Sequence, residues 1–71
     1  MSATELKNKA EWIVDRMAAV ARATEKPLSE ETCYAKVIKL LKPSTKSDWR
    51  FLRLVVNTRI RHHLNEKRSV A

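Results

Sequence analysis

Seventy-one residues give one domain with a thin core, because a short chain buries a smaller share of its surface than a long one. The chain has no glycine, and its 15 Lys and Arg outweigh 8 Asp and Glu for a net charge of +7. Glycine-rich phosphate loops, dinucleotide-binding turns, tight β-hairpins and strained nucleophile elbows need glycine, so their chemistries are disfavoured together. Helices joined by Ser, Thr and Pro remain, and the expected fold is an all-α, three-helix domain over 1–71.

The first helix is expected over about 3–24. Ser2, with Glu5 three residues on, makes a capping-box pattern. Leu6, Ala10, Ile13, Met17, Val20 and Thr24 recur every three or four residues as one apolar stripe, widened by Val14 and Ala21. Lys7, Glu11, Asp15 and Arg22 fall opposite, as a solvated face. Trp12 lies off the stripe beside Arg16, and is expected to cover the third helix at the edge of the core. Pro27, which lacks an N–H, ends this element.

The second helix is expected over about 30–42. Ser29 is its cap, Glu30 and Glu31 suit the positive end of the helix dipole, and Leu28 can staple against Cys33. Cys33, Val37, Leu40 and Leu41 form the inward stripe, broadened by Tyr34 and Ile38. Lys36, Lys39 and Lys42 form a basic ridge on the far side, and Pro43 closes the helix.

The third helix is expected over about 46–65, with 66–71 as a frayed tail. Thr45 competes with Ser44 and Ser47 to cap it. Trp49, Leu52, Val56, Ile60 and Leu64 keep one apolar face, with Trp49 expected in the core. Phe51, Leu54 and Val55 are apolar on another side, which points to a helix packed on both others or against a second chain. The layout has the outline of a helix-turn-helix unit, and a homodimer stays open.

Charge is unevenly shared: residues 1–35 hold five Lys and Arg against six acids, and residues 36–71 hold ten against two. Such asymmetry attracts a polyanion to one part of the molecule. Arg50, Asn57, Arg61 and Arg68 share one line of the third helix, joined by Arg53, Arg59, His62 and Lys67. Arginine forks pair with phosphates and guanine edges, and asparagine with adenine. These residues, with Lys36, Lys39 and Lys42, are the candidate nucleic-acid contacts of a small DNA- or RNA-binding regulator of transcription.

The alternative is a protein-binding modulator, similar in size to phage or plasmid inhibitors, that docks on an acidic surface of a polymerase or nuclease. Trp12, Arg16, Phe51 and Leu54 are its candidate contacts. Membrane-surface association through a basic amphipathic helix is a third and weaker reading. No catalytic set, cofactor or small-molecule substrate is expected. His62 and His63 are adjacent and diverge by about 100° on a helix, so no metal site is expected either. The single cysteine and the want of a leader pattern fit a cytoplasmic protein, or a nuclear one in a eukaryote.

Overall fold

The computed structural model describes residues 2–70, and their side chains as far as Asn65. Three helices follow in order: α1 over Ala3–Ala23, α2 over Glu30–Leu41 and α3 over Lys46–Val70. The frayed tail expected from residue 66 falls where α3 continues as backbone helix, and the side chains there lie outside the described residues.

Each helix begins where a hydroxyl can accept a backbone N–H that has no partner within the helix. Ser2 accepts from the Glu5 N–H at 3.2 Å, Ser29 from Thr32 at 3.3 Å, and Thr45 from Asp48 at 3.1 Å. Thr45 is therefore the cap among its three competitors. The helix ends use residues that the composition did not foretell. The Lys26 N–H reaches the Ala21 carbonyl at 2.9 Å, and the Glu25 N–H reaches Arg22 at 3.4 Å. This is a Schellman closure, with Glu25 at φ 56° where glycine is usual. Lys42 ends α2 at φ 48°, so left-handed positions exist here without glycine.

The core is where the three helices meet. Leu6, Ala10, Ile13, Val14 and Ala18 come from α1, Cys33 and Val37 from α2, and Leu52, Val55, Val56 and Ile60 from α3. Met17, Leu28, Tyr34, Ile38, Leu41 and Phe51 seal its edges. α1 and α2 each pack against α3 and against one another. At 1.5 Å per residue α3 is about 37 Å long, and the molecule's longest extent is 39 Å.

Several apolar residues expected inside lie outside. Trp49 is 43% exposed, because its indole Nε1–H turns back to donate to the Pro43 carbonyl at 3.1 Å. It pins the α2–α3 corner, with Tyr34 packed edge-on at 6.3 Å. Trp12 does not cover α3; it is 59% exposed and packs under the Arg16 guanidinium at 4.9 Å. Val20, Leu40 and Leu64 are also exposed, since no third layer reaches the outer edge of those stripes.

Candidate functional site

α3 has two unlike sides. Leu52, Val55, Val56 and Ile60 face α1 and α2, so the apolar middle of the helix is spent on the core. The opposite side is bare. At 100° per residue, Arg50, Asn57 and Arg61 fall on one line, with Arg53 on one flank and Leu54 and Thr58 on the other. Arg50, Arg53, Leu54, Thr58 and Arg61 are all exposed, as is Lys46 at the start. No carboxylate shares this face among the described residues. Asp48, the one acid among the described side chains of α3, belongs to the other side and is half-buried.

The candidate cations divide into three groups. Arg50 and Arg61 are exposed and make no ion pair among the described residues. Arg53 is half engaged: its guanidinium lies over the Tyr34 ring at 5.0 Å and stands 3.9 Å from Glu30, both ends well exposed. Arg59 is committed to the fold. Its Nε and Nη2 donate to the two oxygens of Asp15 at 2.8 and 2.9 Å. His63, one turn further on, meets the same carboxylate through Nε2 at 2.6 Å. The Arg59 guanidinium holds the Asp15 carboxyl below its ordinary range, against the opposing pull of burial.

That cluster corrects the placement of Asp15, which the periodicity of α1 put on a solvated face. It sits instead at the α1–α3 seam. Arg59 and His63 are four residues apart, and that spacing sets two side chains over one point on a neighbouring helix. An i, i+4 Arg and His flanking the α3 stripe was the available sequence signal.

Asn57 is half-buried with its Oδ1 turned inward, which gives it less reach than the arginines beside it. His62 is exposed, its ring edge-on to His63 at 5.8 Å. Lys67 and Arg68 lie outside the described side chains. Lys36, Lys39 and Lys42 are all exposed but do not form one ridge, because three-residue steps turn by about 60° around a helix. Lys36 faces a groove between α1 and α2 that, among the described residues, draws none from α3.

Of the candidate protein contacts, Trp12 and Arg16 adjoin one another on that groove. Phe51 seals the core, and Leu54 is exposed on the outer face of α3, as is Leu64 further on. Among the described residues, no three of His, Cys, Asp and Glu are grouped to hold a metal ion. No described helix is long and apolar enough to cross a membrane.

No protein-family description matches the chain, and no curated protein or solved structure matches it either.

Proposed function

We propose that this protein binds nucleic acid through the outer face of α3. The observation that carries the reading is a helix face on which Lys46, Arg50, Arg53 and Arg61 are exposed; among the described residues Arg50 and Arg61 have no acidic partner, and Glu30 of α2 reaches only Arg53, at 3.9 Å. Arg50 and Arg61 are eleven residues apart, about 16 Å along the axis, enough to span several phosphates. Both other helices pack on the far side, so α3 can lie along a duplex without unpacking. The sequence left one difficulty, an apolar middle unfit for a groove; Leu52, Val55 and Val56 are turned into the core, and of that middle stretch only Leu54 is left well exposed, with Leu64 exposed further along the helix. Exposed Arg50 and Arg61 suit phosphate recognition, with base reading left to whichever edges they reach. A regulator in the cytoplasm is the setting that suits such a protein, and the unpaired Cys33 thiol fits a reducing compartment.

The test is fluorescence anisotropy with labelled duplex DNA, duplex RNA and single-stranded DNA over a range of salt. Three phosphate contacts on duplex DNA give a log–log salt slope of about −3. Replacing Arg50 and Arg61 together with Ala should flatten that slope by about 2 and weaken binding at least tenfold. Arg16→Ala with Lys36→Ala, on the other side of the molecule, should do far less. Binding insensitive to salt, or unchanged by the α3 pair, rejects the proposal.

A further inference from the structure

The groove between α1 and α2 has the make-up of a second, separate docking site. Its volume is about 490 Å³, and its floor includes Ile13, Met17 and Leu28, with the fully buried Cys33 just beneath. Val20 from α1 and Leu40 from α2 form apolar edges, 63% and 53% exposed. Trp12 stands beside it, its ring held by Arg16. Three cations rim the groove, Arg16 and Lys26 from α1 and the following turn and Lys36 from α2, and among the described residues not one Asp or Glu lines it.

From this pairing of an apolar floor with a rim whose charged groups are all cationic, we propose that the groove binds an acidic amphipathic helix of a partner protein. The apolar stripe of the partner fills the floor, and carboxylates flanking that stripe meet Arg16, Lys26 and Lys36. Helix-in-groove recognition of this type places anchors at i, i+3 or i+4, and i+7. Exposed aromatic and arginine side chains such as Trp12 and Arg16 are the common anchors of protein interfaces. Charge also argues against a second copy of this chain. A two-fold contact sets each patch against itself, so Arg16 and Lys36 would face Arg16 and Lys36 across an apolar seam. The proposal does not depend on nucleic-acid binding, because among the described residues the groove draws none from α3.

The test uses the full chain and two synthetic helical peptides with the same leucine stripe, one with glutamate at every flanking position and one with lysine. Calorimetry measures affinity, and amide chemical shifts in two-dimensional NMR locate the contact. The glutamate peptide should bind and move the resonances of Val20, Cys33 and Leu40, and leave those of Arg50 and Arg61 in place. Arg16→Glu with Lys36→Glu should weaken it at least tenfold. Trp12→Ala, an exposed change that leaves the core intact, should weaken it about as much and gives a second check if the charge reversal perturbs the fold. Equal affinity for the lysine peptide overturns the proposal, as does a contact mapped to α3. So does no binding at about 1 mM peptide, the weak end of specific association. Self-association through the groove, seen as a dimer in sedimentation that Val20→Asp abolishes, overturns it in favour of a second copy. Shifts of the same groove resonances by an oligonucleotide overturn it in favour of nucleic acid.

Discussion

Arg59 grips both carboxylate oxygens of Asp15 across the α1–α3 seam, at 2.8 and 2.9 Å, and so an arginine from the most basic part of the chain serves to join two helices. The pair is about one third exposed at each end, 30% and 36%, so solvent screens part of its strength. Arg59→Ala should lower unfolding stability by about 1–2 kcal/mol, short of the loss seen when a fully buried pair is broken. A double-mutant cycle with Asp15→Asn in urea should show a coupling. Nucleic-acid affinity, measured where both proteins are folded, should fall much less for Arg59→Ala than for Arg61→Ala.

The same pair makes stability depend on acid. Because the Asp15 carboxyl titrates below its ordinary value in the folded chain, chiefly through Arg59, its contribution is complete above the unfolded value of about 3.9. It is lost as pH falls through the lower folded value. Urea midpoints of the wild type and Asp15→Asn should therefore differ most near neutrality and draw together between about pH 4 and pH 2.

Glu25 holds a left-handed conformation at φ 56°, which costs an ordinary residue about 1–2 kcal/mol. Glu25→Gly should raise stability by about 0.5–1 kcal/mol, after the extra freedom that glycine gives the unfolded chain. An unchanged or lower melting temperature would show that the Glu25 side chain contributes more than its strain costs.

At the start of α3 the hydroxyls are unequal. Thr45→Ala should cost about 1 kcal/mol, because the Asp48 N–H loses its acceptor. Ser44→Ala and Ser47→Ala should each stay within a few tenths. Thermal melts of the three single variants separate them.

Leu52 is fully buried at the meeting of the helices. Leu52→Ala should cost about 2–5 kcal/mol, a large share of the roughly 4–10 kcal/mol expected for a chain of this length. Loss of a sharp unfolding transition near room temperature is the expected outcome.

What the sequence disclosed was whatever the chain decides locally. Ser2, Ser29, Pro27 and Pro43 act on their own turn of backbone, and the helix bounds they mark agree with the structure to within a residue or two. The centres of the stripes, Ile13, Val37, Leu52 and Val56, were equally legible, since any packing of the helices covers them. Stripe edges were not. Whether Val20, Leu40 or Trp12 is covered depends on how far α1 and α2 splay, which no single helix encodes. The Asp15–Arg59–His63 cluster depends on the axial register of α1 against α3, which periodicity does not fix. Glu25 and Lys42 took left-handed turns because capping bonds outweighed modest strain.

Cys33 is wholly enclosed, and burial pushes its thiol above the ordinary range. A sulfhydryl reagent can reach it only after α2 lifts from its neighbours, so the rate of alkylation counts how often the bundle breathes. One natural side chain thus supplies a built-in stopwatch for transient opening, readable by mass spectrometry on the unaltered molecule. Any ligand that clamps α1 to α2 should slow that stopwatch.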